Sequence, residues 1–327
     1  MTSIKFKMNR RLALAASAAA ASIFVAVPAW SQSHWPDKTV KIVVPFAAGG
    51  TTDILARAIA PELSKAFGQQ FIVDNRSGAG GNVGADIVAK SAPDGYTLLM
   101  MSNTHTVNET LLPNKPFKLM SDFVGIAPVN ASDLMLVVNP KVPARTLPEL
   151  IALAKKEPGK LNYASSGTGT PYHMAGELFK HMAGVNIVHV PYKGSSAARS
   201  DVLGGQVDMM FDAVTTMAPM AREGKVRALA TTGAKRDGDL PTVAETVPGY
   251  EALIWLGLMA PKGTPDAIVQ KLNAAVQRIV TAPETRKLWA QQGAEPMAMG
   301  TAEFDKYLQQ DIKKWAEIVK ISGAKPE

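Results

Sequence analysis

The chain has 327 residues, is 46% hydrophobic, carries a formal charge of +7 and contains no cysteine. That length and apolar content suffice for two ordinary domains with cores and argue against disorder over most of the chain. The missing cysteines exclude disulfides, thiolate metal sites, a cysteine nucleophile and a lipid-modified cysteine.

Residues 1–31 stand apart. Lys5, Lys7, Arg10 and Arg11 make a basic start, an alanine-rich apolar run covers 12–27, and small residues follow at Ala29 and Ser31. This order is that of a secretory signal peptide, and its apolar run falls short of the roughly 20 residues that span a bilayer. Cleavage after Ser31 removes those four basic residues and lowers the charge from +7 to +3. No basic run with interleaved aromatics remains, so nucleic acid is not an expected partner. The mature chain is expected to be soluble and periplasmic.

Lys41-Ile42-Val43-Val44 has the β-branched content of a buried strand, which Pro45 ends. Gly49 and Gly50 then allow a tight turn, and Thr51, Thr52 and Asp53 offer caps to a helix whose apolar positions recur from Ile54 to Phe67. The free N–H groups of such a helix start attract carboxylate or phosphate. Phe71-Ile72-Val73 is a second strand, followed by the glycine cluster Gly78, Gly80 and Gly81, a helix over 82–90 and a third strand over 96–101. Strand–helix alternation predicts a parallel sheet, with ligands beyond the carboxyl ends of its strands. The polar loop 102–108, with Thr104 and His105, therefore belongs beside the first glycine pair. Two more strands are expected at 124–129 and 134–138, the second carrying the chain into another lobe.

The same plan returns there. Thr146 and Glu149 form a capping-box pattern opening a helix over 148–156, and a strand over 161–164 leads into Ser165-Ser166-Gly167-Thr168-Gly169. Thr170 as N-cap and Pro171 at the first helical position start the next helix. Strands follow over 187–191, 207–212 and 225–232, with a helix after Ser195. From Trp255 onward the pattern changes to an apolar run over 254–259, a helix over 266–280 capped by Thr264, a short helix around 284–292 and an amphipathic helix over 302–321. These last helices are expected to be structural and to pack back on the first lobe. The reading is an α/β, two-lobed fold, each lobe a sheet flanked by helices, with a hinge between lobes. Lobe 1 is 32–136 and 258–327; lobe 2 is 137–257.

Rival chemistries fit less well. Neither glycine loop carries a P-loop lysine, and residues 78–84 miss the dinucleotide spacing by one position. A hydrolase with Ser165 or Ser166 as nucleophile and His173 or His189 as base lacks the nucleophile-elbow pattern. The five histidines are spread out, with no zinc spacing and no cofactor implied. Asp53 and Asp212 read as an acid–base pair only if they do not serve a helix start and a strand end.

The segments VKIVVPFAAGGTTD, VDNRSGAGGNVGAD, PDGYTL, NYASSGTGTPYHMAGELF, VPYKGSSAARSDVLGGQVDMMFD and LMAPKGTP resemble, in order and spacing, the periplasmic solute-binding proteins of tripartite tricarboxylate transporters, also called Bug receptors. The resemblance covers essentially the whole mature chain. It implies a two-lobed, hinged α/β fold of the periplasmic-binding-protein kind and a receptor without catalysis that captures a small mono- or dicarboxylate, aliphatic or aromatic, and presents it, as a monomer, to a membrane permease. A ligand-sensing partner of a membrane receptor and a periplasmic hydrolase are the alternatives. Carried over, one carboxylate site uses Phe46, Ala48, Gly49, Gly50, Thr51, Thr52 and Asp53 with Thr104 and His105. The other uses Ser165, Ser166, Gly167, Thr168, Gly169, Thr170, His173, Tyr192 and Gly194, and Asp212 completes the candidate set. Ala47-Ala48, where the family commonly has a proline, and the segment 104–116 are the places where ligand preference can differ.

Overall fold

The computed structural model describes residues 35–291, 293–322 and 324–325. The expected signal peptide lies outside them.

The first half of the body formed by residues 36–327 starts with β1 (Val40–Val44), α1 (Thr51–Phe67), β2 (Phe71–Asn75), α2 (Asn82–Ala89), β3 (Thr97–Ser102), α3 (Thr104–Leu111) and the single turn α4 (Leu119–Asp122). β1 lies between β2 and β3, parallel to both, as alternation requires. Then β4 (Phe123–Val138) runs for 16 residues. The sequence predicted two strands here, 124–129 and 134–138; the residues between them, Asn130 to Asp133, instead stay paired with a later strand, and Pro128, which cannot donate to a ladder, is absorbed by register shifts at Gly125/Ala127 and Pro128/Asn130.

The second half continues through α5 (Leu147–Lys156), β5 (Asn162–Ser165), α6 (Pro171–Ala183), β6 (Val188–Pro191), α7 (Ser195–Gly204), β7 (Met209–Ala213), α8 (Val214–Arg222) and β8 (Arg227–Thr231). β5 is parallel to β6 and β7. The chain returns on β9 (Leu253–Pro261) and ends with α9 (Asp266–Thr281), α10 (Pro283–Gln291), β10 (Ala294–Pro296) and α11 (Thr301–Ser322).

β4 belongs to both sheets. Phe123 to Asp133 pair antiparallel with β9, while Leu134 to Val138 pair antiparallel with β7 on one side and β8 on the other. At the change of partners, the Leu134 N–H donates to Thr232 Oγ1 at 2.8 Å. Each half has its own core: Val43, Leu99, Met101, Trp255 and Phe304 in one, Met135, Val137, Ala164, Val202 and Met210 in the other. Each fully buried Val, Leu, Met or Phe side chain among them contributes about 1.5–3 kcal/mol. A third cluster joins Val107 and Leu111 of α3 to Met174 of α6 and Trp315 and Val319 of α11. The last helix therefore packs on the second half as well as on the first.

Local expectations fail where a backbone group or a buried partner offers a better contact. The predicted loop 102–108 is mostly helix, because Thr104 begins α3. Thr51, Thr52 and Asp53 do not cap α1; Gly50 holds the N-cap position and the three residues form the first turn. Thr264 donates to the Pro261 carbonyl at 2.8 Å, and Pro265 takes the cap position of α9. Thr146 does cap α5, but Glu149 reaches back to the Arg145 N–H rather than to that of Thr146. No helix among the described residues is long and apolar enough to cross a membrane.

Candidate ligand-binding site

Among the strands that hand the chain to helices on one edge are β1 to α1, β3 to α3, β5 to α6 and β6 to α7. Their helix starts meet. Gly50, Thr51 and Thr52 of α1, Thr104 of α3, Tyr172 of α6 and Ser195 of α7 line one small pocket, together with Phe46, Ser102, Ser166, Pro171 and Ile254. α1 and α7 approach from opposite halves, and the Ser195 hydroxyl lies 3.2 Å from where a Cβ on Gly50 would stand. Neither helix has a side-chain cap, since Gly50 and Gly194 occupy the cap positions. Two helix N-termini, each worth about half a positive charge, thus face one space rich in hydroxyls. An anion there relieves their mutual repulsion and accepts their N–H groups.

The pocket itself has little free volume, about 10 Å³, room for about one water. Next to it lies a cavity of about 350 Å³, at the lower end of the 300–1,000 Å³ usual for small-molecule sites. Phe46 and Ser166 line both spaces. The larger one is walled by the 78–81 turn, Leu112, Gly167, Thr168, Pro191, Tyr192 and Lys193. Its two glycine loops touch: a Cβ on Gly80 (φ +59°) would stand 2.6 Å from the Thr168 carbonyl oxygen, and one on Gly169 (φ +76°) 2.3 Å from Asn108 Oδ1. Only glycine permits this approach at these backbone angles.

Of the residues expected from sequence, Phe46, Gly50, Thr51, Thr52, Thr104, Ser166, Gly167, Thr168 and Tyr192 line the two spaces. The others stand behind them. Ala48 and Gly49 are exposed at the outside of their loop. Asp53 spends its oxygens on the Gly49 N–H (2.9 Å), Arg57 Nε (2.9 Å) and Asn75 Nδ2 (3.0 Å), so it orders the glycine loop. Burial works to raise its pKa, but the donors of Arg57, Gly49 and Asn75 outweigh it and hold the carboxyl below its ordinary range. His105 is fully buried, with Nδ1 3.0 Å from the Ser102 carbonyl and its ring edge-on to Phe46; burial pushes it down to about 4, so it is neutral. Thr170 caps α6 and donates to the Gly167 carbonyl at 2.7 Å. His173 Nδ1 accepts the Gly169 N–H at 3.0 Å. Gly194 caps α7 against Ala47. Asp212 is fully buried and accepts from Arg199 Nε at 2.9 Å; burial raises its pKa and Arg199 opposes the rise.

Tyr172, Leu112, Ile254 and the 78–81 turn were not expected at the site. The turn follows β2 on the same strand edge as the Gly49-Gly50 loop, and that placement was its available signal. Ser165 Oγ and His189 Nε2 are 2.6 Å apart, the separation of a nucleophile–base pair. Ser165 is fully buried, however, and its hydroxyl lies against Gly167 N and O at 3.1 and 3.2 Å, so it lines neither space. No group of three or more metal-ligating side chains occurs among the described residues.

An α/β body of two sheets sharing a crossing strand, with facing helix starts around an anion-suited cleft, defines a solute-binding receptor. The chain belongs to the tripartite tricarboxylate transporter family receptors, whose profile matches residues 55–324. It is 36% identical over 301 residues to protein BugT of Bordetella pertussis, covering 90% of this chain and 92% of that one. Among solved structures, R. palustris Rpa4515 with adipate superposes with a TM-score of 0.87 at 37% identity, covering 90% of this chain and all of the other. MatC of Rhodopseudomonas palustris with bound malate gives 0.82 at 34% identity, covering 87% of this chain and all of that one.

Proposed function

We propose that this chain captures a small mono- or dicarboxylate in the periplasm, between lobe 1 (32–136 and 258–327) and lobe 2 (137–257), and delivers it as a monomer to a tripartite membrane permease. The observation that carries this reading is the meeting of α1 and α7, both without side-chain caps, at one hydroxyl-lined pocket. One carboxylate group enters that pocket and the rest of the ligand fills the larger cavity beside Phe46, Leu112 and Tyr192. Three to five charge-assisted hydrogen bonds of about 1.5–3 kcal/mol each support micromolar affinity after ordering costs. The adipate and malate complexes of the two neighbours agree with a carboxylate ligand. We place the hinge where β4 crosses between the lobes, next to its change of strand partners at Asp133/Leu134.

The test is the melting temperature of residues 32–327 against a panel of aliphatic and aromatic mono-, di- and tricarboxylates. Binding to the native state alone raises it by mass action. A rise confined to one class supports the reading and identifies the ligand class; no rise with any acid overturns it.

A further inference from the structure

Behind the serine–glycine loop stand two histidines that line neither cavity. His173, on α6, and His189, on β6, stack at 4.0 Å between ring centroids with 20° between their planes. Tyr163 of β5 stacks on His189 as well, at 4.9 Å and 30°. The two rings grip opposite ends of the loop. His189 Nε2 is 2.6 Å from Ser165 Oγ, and His173 Nδ1 accepts the Gly169 N–H at 3.0 Å. Between these anchors lie Ser166, Gly167 and Thr168, which face the cavity.

Hydrogen bonding assigns the His173 proton. His173 Nδ1 is an acceptor, so the neutral ring carries its proton on Nε2, the atom 3.9 Å from Glu177 Oε1. Ser165 Oγ accepts the Gly167 N–H at 3.1 Å and shares a second hydrogen bond with His189 Nε2 at 2.6 Å. Glu177 is committed to the Tyr163 hydroxyl at 2.6 Å and to Lys180 at 2.7 Å, which keeps its charge balanced beside the stack.

We propose that His173 and His189 are positioning residues: a stacked pair that holds the 165–169 loop by its two ends in its ligand-ready shape without touching ligand. This rests on the receptor reading for its purpose, but the loop's rigidity is measurable without any ligand. A loop fixed in advance loses less freedom on binding, so the pair contributes to affinity by preorganisation.

The experiment uses residues 32–327. In the ligand-free protein at neutral pH, long-range ¹H–¹⁵N spectra are expected to show the His173 ring neutral and protonated on Nε2. An Nδ1–H tautomer of His173 overturns its role as the acceptor of the Gly169 N–H. Amide hydrogen exchange at Gly167 and Gly169 is expected to be at least about tenfold faster in His189→Ala, with His189→Gln, which keeps a donor, recovering most of the protection; unchanged exchange in His189→Ala overturns the positioning role. With adipate as probe, His189→Ala and Ser165→Ala should each weaken binding about five- to tenfold and the double variant no more than the worse single one, because both break one linkage. Additive losses overturn the coupling. Wild-type protein that ignores adipate counts against adipate as ligand, while the tautomer and exchange results still decide the role of the pair.

Discussion

The Tyr172 hydroxyl donates to Thr51 Oγ1 at 3.0 Å, tying the start of α6 to the start of α1 across the cleft. Both residues line the small pocket, so this bond occupies the same space a carboxylate needs. A neutral hydrogen bond of this kind contributes about 1 kcal/mol net. Tyr172→Phe is expected to shift the ligand-free protein about fivefold toward an open form, seen as a larger radius of gyration in solution scattering that a bound carboxylate restores. Identical scattering from the two proteins would mean that the bond does not hold the halves together.

The glycines divide by what a side chain would meet. Gly169→Val and Gly80→Ala each drive a Cβ into the facing half, and both are expected to abolish carboxylate binding measured by calorimetry. Gly49 also has a positive φ of +76°, but nothing lies within 4 Å of its Cβ position. Gly49→Val should therefore cost about 1–3 kcal/mol of stability through backbone strain, lowering the melting temperature while leaving much of the affinity. Equal losses of affinity in all three would refute this division.

Lys193 is the charged side chain among those lining the two spaces. It is exposed, so its attraction to a distal carboxylate is screened and worth about 0.5–1 kcal/mol. Lys193→Ala is expected to weaken a dicarboxylate two- to fivefold and a monocarboxylate hardly at all, with the difference vanishing in high salt.

Acid should destabilise the protein through its buried imidazoles. Burial, aided by His189, pushes His173 down to about 3, against an ordinary value near 6.5. Only the unfolded chain takes up this proton between those values, so the stability His173 leaves intact above pH 6.5 is lost as pH falls toward 3. Asp133 and Asp311, raised to about 6 mainly by burial, act in the opposite sense over part of this window. The advantage of wild type over His173→Gln in urea unfolding should therefore shrink between pH 7 and pH 4. A constant difference would show that His173 titrates normally in the fold.

Much of the fold was legible because the signals were local. Val40–Val44 into Gly49-Gly50, and Asn162–Ser165 into Thr170-Pro171, each carry a strand, a glycine turn and a helix start within a dozen or so residues. The distinction between lining and supporting residues was not local. Asp53 and His173 read as ligand contacts because they sit in the right loops, yet their polar atoms are taken by Gly49, Arg57, Asn75 and Gly169. Tyr172 was passed over because its partner, Thr51, is 121 residues away. Strand β4 was divided because the stretch 130–133, with Asn130, Ser132 and Asp133, read as a break, while its neighbours β9 and β10 supply the pairing that keeps it whole.

That continuous β4 also limits how the molecule can be taken apart. Its first 11 residues complete one sheet and its last five complete the other, so any cut between the sheets strips a central strand from one of them. An isolated second half would lack the backbone partner of both β7 and β8, leaving two unpaired edges prone to aggregation. Each half is thus a tenant of a strand the other also occupies, and new specificities must arise by changing the loops at the cleft rather than by exchanging whole halves between relatives.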